Sequence, residues 1–435
     1  MNRLKRAILA TLMMLDATSF AAEENQQTLL IHAGNLLAVP GEAPVRQQSI
    51  IVRGSRIDAV VDGYVDPASL AGDVRLLDLS DQFVLPGLID SHVHLLSEIT
   101  PQSRNDALYI TTSMEAMRGV YYAGITLDSG FTTVRDLGAE PEAIYALREA
   151  INQGLIDGPT IFAAGSALAA TGGHGDVDGY KPELLELWTP ETICDGPIEC
   201  RAATRQAIKF GADWIKITAT GGVLSDTSTG LGKQMTDDEM QEIVATAHNL
   251  GIKVAAHAHG ADGINAALRA GVDSIDHGTY LDDESIALFK QTGAYLVPTL
   301  LPGIKLPESM EGNPFFTDAI KEKAYAAGAA AATNIGRAYQ AGVNIAFGTD
   351  SAVTPHGLNG QEFRFMVQAG FSEMDAIHAA TIGASTLLSQ SATIGTLEAG
   401  KLADIIATGG SPLDDITELE NVTTVIKGGK VIKSR

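Results

Sequence analysis

The chain has 435 residues, of which 45% are hydrophobic and 19% charged, with a formal net charge of −23 at pH 7. That length suits a large barrel plus a minor domain, and the balance is that of a globular protein rather than a disordered one. The strong negative charge argues against nucleic acid or an anionic membrane surface as a partner.

The first residues have the pattern of a secretory signal. Arg3, Lys5 and Arg6 make a basic start, Ala7–Leu15 a short apolar run, and Ser19-Phe20-Ala21 offers small residues for cleavage. The run is too short to span a bilayer comfortably. The expectation is a signal peptide over residues 1–22 and an exported, soluble mature protein, periplasmic in a Gram-negative source. No later stretch looks transmembrane. Cys194 and Cys200 have five residues between them, and export would permit a disulfide there; sequence alone leaves the pairing open.

Residues 28–82 read as short strands and turns, with Leu29–Ile31, Ser49–Val52 and Ile57–Val61 rich in β-formers. The C-terminal stretches Asp404–Ala407 and Thr423–Lys433 have the same character. Two β-rich ends suggest one small β-sandwich domain built from residues 23–84 and 395–435. Between them, residues 85–394 alternate strand and helix. The expected strands are Gly87–Leu95, Phe131–Asp136, Thr160–Ala164, Asp213–Thr218, Lys253–His257, Ser274–His277, Ala294–Thr299 and Asn344–Asp350. Helices are expected at Asp106–Ala123, Glu140–Gln153, Ile198–Phe210, Thr236–Leu250 and Asp318–Gln340. Eight such units predict an α/β fold of the (β/α)8 TIM-barrel type, with chemistry at the C-terminal strand ends.

The polar residues of interest fall there. The first strand closes in Asp90-Ser91-His92-Val93-His94, and period-2 alternation aims His92 and His94 at one spot, as two ligands of one metal ion would be. A pair of satisfied strand histidines is the plainer reading of that motif by itself. In Asp213–Thr218 the same alternation puts Trp214, Lys216 and Thr218 on the interior face. A buried ammonium is costly, so Lys216 needs an anionic partner, a depressed pKa or chemical conversion, unless it snorkels out at the strand end. The fifth strand closes in His257-Ala258-His259, the sixth in Asp276-His277 and the eighth in Thr349-Asp350. Of the two histidines on the fifth strand, His257 is the preferred ligand, because His259 falls nearer the turn.

With these residues the chain resembles the metal-dependent amidohydrolase superfamily. The likeness is carried by LIDSHVHL, KITATGG, AAHAHG, DHGTYLD and GTDS. It points to the branch of imidazolonepropionase-like proteins, exported Xaa-Pro or Xaa-Arg/Lys dipeptidases and ochratoxin-hydrolysing amidohydrolases. The resemblance implies two zinc ions per chain. His92, His94 and Asp350 would hold one and His257 and His277 the other, with Lys216, as N6-carboxylysine, bridging them. Asp350 would also move the proton, so Asp350 and Lys216 are the catalytic candidates together with His174. A bridging hydroxide would attack the carbonyl.

The long stretch Ala169–Cys200 carries Thr171-Gly172-Gly173-His174-Gly175, and His174 there is a substrate-binding candidate as well. Tyr280, Ser225 and His356 are weaker pocket candidates, and Thr220 weaker still. Pro302–Thr317, with Met310, Pro314, Phe315 and Phe316, reads as an apolar lid or a packed or oligomer-contacting loop. A homo-oligomer is expected from the branch.

The function expected is hydrolysis of an amide joining an acyl group to a C-terminal amino acid, in a dipeptide, an N-acyl amino acid or ochratoxin A. The alternative on the same scaffold is a mononuclear cyclic-amide hydrolase or deaminase. Many of those carry a Glu shortly after the strand-five histidine, whereas here Ala258-His259-Gly260-Ala261 follows His257. A non-catalytic binding protein is the remaining class. The small-molecule pocket would be shared by all three.

Overall fold

The computed structural model describes residues 27–226 and 230–434, so the expected signal segment lies outside the described residues. Among the described residues, four strands open the chain: β1 Thr28–Leu36, β2 Val45–Arg53, β3 Arg56–Asp62 and β4 Val74–Pro86. Eight short strands follow: β5 Leu88–Val93, β6 Phe131–Asp136, β7 Thr160–Ala163, β8 Trp214–Thr218, β9 Lys253–Ala258, β10 Ser274–His277, β11 Tyr295–Val297 and β12 Asn344–Ile345. Three more close it: β13 Ile405–Thr408, β14 Thr424–Lys427 and β15 Lys430–Lys433.

The two ends of the chain meet in one seven-stranded sheet of order β15-β14-β13-β4-β1-β2-β3. β4, absent from the sequence expectation, is its pivot. It runs parallel to β1 and antiparallel to β13, so it joins the N-terminal strands to the C-terminal ones. Leu29, Ile31, Ile50, Val84, Ile405 and Ile426 bury one face together.

The middle strands are all parallel, three in the order β5-β6-β7 and five in the order β12-β11-β10-β9-β8. Backbone bonds cross both gaps between these sheets. Leu168 N donates to Lys216 O at 2.8 Å on one side, and Asp350 N to His92 O at 2.8 Å on the other. Alternation decides what each strand buries. In β8, Ile215 and Ile217 join the large apolar cluster packed with the helices, while Trp214 packs inside with Ile89, Ala255 and Val297. Side chains in the same row as Trp214, toward the C-terminal ends, are polar and converge.

The helices are set by local chemistry. Asp237–Asn249 starts with a Thr236/Glu239 capping box, and Asp282 caps Asp283–Thr292. The expected helix Asp106–Ala123 is two, Ser103–Tyr109 and Thr112–Asp128, because Thr111 turns its hydroxyl to the Met114 amide and starts a new helix. No helix among the described residues is long and apolar enough to cross a membrane. Cys194 and Cys200 are joined as a disulfide just ahead of and within the first turn of the helix Pro197–Phe210.

One further expectation needs correction. The eighth strand is only two residues long instead of seven. Beyond it the backbone bonds elsewhere: Phe347 N to Ala379 O, and Ser91 N to Phe347 O. Asp350 itself adopts a left-handed φ of 57°, which a strand does not allow. Of the two readings of Pro302–Thr317, the packed one holds, with its first part helical instead of loop. Leu300–Ser309 is helical, and Met310 and Phe316 are buried with Leu306, Ile320 and Ala324.

Candidate active site

The C-terminal ends of the parallel strands surround a cavity of about 460 Å³. His92, His94, Lys216, His257, His277 and Asp350 all line it, and so do His174 and His259. Six sequence positions spread from 92 to 350 thus converge as alternation and strand ends predicted. His92, His94 and Asp350 form one triad and His257, His259 and His277 another; within each, one donor atom per residue lies within 4.8 Å of the others. The structure does not separate His257 from His259 as the sequence reading did. β9 runs to Ala258, and Thr220 Oγ1 takes the His259 amide at 3.0 Å, which keeps His259 in the cavity wall.

The ring orientations are fixed from behind. His94 donates from Nδ1 to Gly138 O at 2.8 Å, so its neutral form presents only a lone pair at Nε2. That nitrogen lies 3.1 Å from Asp350 Oδ1, and His92 Nε2 lies 3.5 Å from the same oxygen. A lone pair facing a carboxylate requires a proton or a cation between them. His277 Nδ1 is 2.7 Å from Thr299 Oγ1, and His259 Nδ1 is 2.7 Å from Thr279 Oγ1. His257 Nε2 donates to Gly221 O at 3.3 Å, which leaves Nδ1 to accept.

Charge follows burial. Dehydration lowers His92 to about 4, helped by the Lys216 cation, and His259 to about 3, helped by the His174 imidazole. His257 and His277 are pushed well down by burial and by their neighbouring imidazoles. Burial works upward on Asp350, yet His92, His94 and His277 hold its carboxyl far below the usual range. His94 shifts the other way: burial would lower it, and the hydrogen bond to Asp350 raises it. Four imidazoles kept neutral around an ionised carboxylate, with His94 drawn to Asp350 where a cation can take the place of its proton, suit a divalent cation such as zinc, so the residues present fit a metal centre.

Lys216 Nζ donates to Asp276 Oδ2 at 2.8 Å. Burial pulls the ammonium down while Asp276 pulls it up, with a net lowering. Burial would raise Asp276, but Lys216, Arg135 and His92 hold it well below the ordinary carboxylate range. Asp276 and the fully buried Arg135 were missed in the sequence. Their signal was a charged residue inside each of two short predicted strands, Arg135 in Phe131–Asp136 and Asp276 in Ser274–His277. Asp90, also missed, is buried and accepts from Thr349 Oγ1 at 2.6 Å and Asn359 Nδ2 at 2.8 Å, which fastens β5 to the Asp350 turn. Burial raises it to about 6.

His174 sits over His257, ring centroids 4.2 Å apart, with Nδ1 2.6 Å from Ser225 Oγ. Ser225 therefore acts on the cavity through His174 and is not itself in the wall. Tyr280 and His356 are not in the wall either. Tyr280 follows His277 past the turn at Gly278, whose φ is 62°. His356 bonds through Nε2 to Ser97 O at 2.8 Å and stacks on Tyr122, so it braces the loop behind the Asp350 turn. The outer wall is apolar, with Ile99, Val223, Leu224, Leu306 and Val353; Asp350 is the single carboxylate among the described lining residues.

The model of the amidohydrolase family matches residues 83–432. The chain is 33% identical to ochratoxinase of Aspergillus niger over 95% of its own length and 88% of that protein's. A crystal structure of a Xaa-Pro dipeptidase with bound methionine in the active site superposes with a TM-score of 0.87 at 40% identity, covering 94% of this chain and all of that one. The crystal structure of A. niger ochratoxinase gives 0.82 at 30% identity over 94% of this chain and 96% of its own. With the strand-end histidines, lysine and aspartate in one cavity, these matches establish that the chain is a hydrolase of the amidohydrolase family.

Proposed function

We propose that this chain is a binuclear zinc amidohydrolase that cleaves the amide between an acyl group and an apolar C-terminal amino acid. The observation that carries the reading is the pair of triads, His92/His94/Asp350 and His257/His259/His277, facing Lys216 across one cavity. His92, His94 and Asp350 would hold one ion, His257 and His277 the other, and Lys216 as a carbamate would bridge them. The bound pair would supply a water of lowered pKa and a Lewis acid for the carbonyl. Asp350, ionised and beside His94, accepts the proton of the attacking water and returns it to the leaving amine. His174, held by Ser225 and by Gln234 Oε1 on its amide, orients the carbonyl or the carboxylate of the substrate.

The cavity wall supports an apolar leaving group over Lys or Arg. Ile99, Leu224 and Leu306 suit a phenylalanine, methionine or proline side chain, and no second carboxylate among the described lining residues would pair a cationic one. Ochratoxin A, an acyl-phenylalanine amide, falls in that class, as the ochratoxinase relative suggests. The mononuclear alternative wants a further acid beside His257, which the described wall lacks. The accompanying fold reading is a (β/α)8 barrel over residues 85–394, supported by the bonds across both sheet gaps. A shared β domain from 23–84 and 395–435, the expected sandwich in its coarser form, is supported by strands of both ends lying in one seven-stranded sheet. Export through residues 1–22 and assembly as a homo-oligomer complete the proposal.

The test is hydrolysis of N-acyl-Phe, Xaa-Pro and Xaa-Arg/Lys substrates before and after chelation. Zinc-dependent cleavage of the apolar substrates supports it. Cleavage that survives full chelation, or confined to Xaa-Arg/Lys, rejects it.

A further inference from the structure

Arg135 is a fully buried cation that the reaction scheme does not use. It leaves β6 and crosses to three other strands. Nε donates to Ser91 O at 2.6 Å in β5, Nη1 to Ser274 Oγ at 3.1 Å and Nη2 to Asp276 Oδ1 at 3.1 Å in β10. Its guanidinium lies over the Trp214 ring of β8, 4.5 Å from the centroid. The two oxygens of Asp276 are divided. Oδ1 faces Arg135, with His92 Nδ1 3.7 Å away, and Oδ2 faces Lys216 Nζ at 2.8 Å.

We propose that Arg135 is a positioning residue, the permanent counter-ion that keeps Asp276 paired when Lys216 changes from an ammonium to a carbamate. The inference rests on the carbamate reading above. As the structure stands, two cations share one anion. Carbamate formation consumes carbon dioxide: the Nζ–C bond forms as one C=O π pair moves onto oxygen, and the two protons lost from the ammonium pass to water in the cavity. Lys216 then carries a negative charge next to Asp276. Both carboxyl groups are dehydrated, and an unpaired buried anion is strongly disfavoured. Bound metal ions would balance the carbamate itself, and of the two side-chain cations on Asp276, Arg135 is the one that remains. Its planar fork reaches three acceptors in different directions while stacked on Trp214, which a lysine at the same place does not reproduce. The same contacts hold the Asp276 carboxylate where it also faces the His92 ring.

Without that charge, Asp276 would face the Lys216 carbamate with no cationic side chain on either oxygen, which disfavours the carbamate. The experiment is 13C NMR of the enzyme as purified, equilibrated with labelled bicarbonate at atmospheric carbon dioxide, with metal content measured on the same samples. Arg135→Gln is expected to lower carbamate occupancy by about tenfold and metal content with it, and Arg135→Gln/Asp276→Asn to restore carbamate to the level of Asp276→Asn alone. A merely structural arginine would not be rescued by removing a second side chain. Equal carbamate in wild type and Arg135→Gln overturns the inference while leaving the carbamate reading intact. No carbamate in the wild type overturns both. If Arg135→Gln does not fold, Asp276→Asn and the double variant decide: equal signals support the counter-ion role, and a lower signal in the double variant contradicts it.

Discussion

Nδ1 of His277 lies 2.7 Å from the hydroxyl of Thr299, which leaves Nε2 as the ring nitrogen able to take a ligand. Thr299 is itself held in a left-handed conformation, with φ 46°, at the start of the helix Leu300–Ser309. Thr299→Val keeps the branched shape and removes the hydroxyl. We expect metal affinity to fall about tenfold with little change in melting temperature, as for other hydrogen-bonded partners of metal-ligating histidines. Competitive chelator titration reads this directly, and an unchanged affinity would dismiss a role for the hydroxyl.

Gly222 packs flat against His174. A Cβ added there would lie 2.1 Å from the ring Cε1. Gly222→Ala must therefore push His174 out of place, and kcat/KM is expected to drop about a hundredfold, into the range of His174→Ala. Wild-type kinetics in the glycine variant would mean that His174 is not needed where it stands.

Glu362 is buried and accepts the amides of Leu300 at 2.8 Å and Leu301 at 2.6 Å. Burial raises its carboxyl to about 8 in spite of those bonds. The folded protein then keeps a proton that the unfolded chain releases near its ordinary value of 4.5. Stability from this group is full below that value and drains as pH rises through the folded value. Denaturation of wild type against Glu362→Gln should show wild type losing ground between about pH 5 and pH 8, by up to about 1.4 kcal/mol per unit. Asp90 and Asp136, both raised by burial to about 6, titrate in the same direction, and the difference between the two proteins cancels them. Parallel curves would show that Glu362 is ionised throughout.

The Cys194–Cys200 disulfide closes a short loop at the end of the segment that carries His174. Replacing both with serine should cost about 2 kcal/mol in denaturant, the loop-closure value for so short a ring. Activity should persist, because Cys194 N still bonds Ala169 O at 2.9 Å and Thr171 still bonds Asp195. A variant that melts normally but loses activity would reverse that assignment.

The sequence made the cavity floor legible because two local rules suffice for it. Alternation turned Lys216 inward between Ile215 and Ile217, and each of His92, His257, His277 and Asp350 closes a strand or the turn after it. What it hid depends on distant partners. Arg135 meets Ser274 across 139 positions and Glu362 meets Leu300 across 62, distances over which composition carries no signal. The run Asn344–Asp350 reads as strand, yet its ladder stops after Ile345, where the backbone turns to bond Ala379 and β5 instead. Met310 and Phe316 read equally as a lid or as packed, because nothing local announces that Ile320 and Ala324 of the following helix cover them. Tyr280 and His356 stand close in sequence to cavity residues, but the backbone turns after His277 and after Asp350 carry them past the wall.

The measurement that tests the central claim is metal per chain in wild type and Lys216→Ala, with hydrolysis of an N-acyl-Phe substrate followed in the same preparations. The account predicts about two zinc ions per wild-type chain, and in Lys216→Ala a loss of metal together with a fall in rate of at least about a hundredfold. One ion per chain in the wild type, with Lys216→Ala still active, would contradict it.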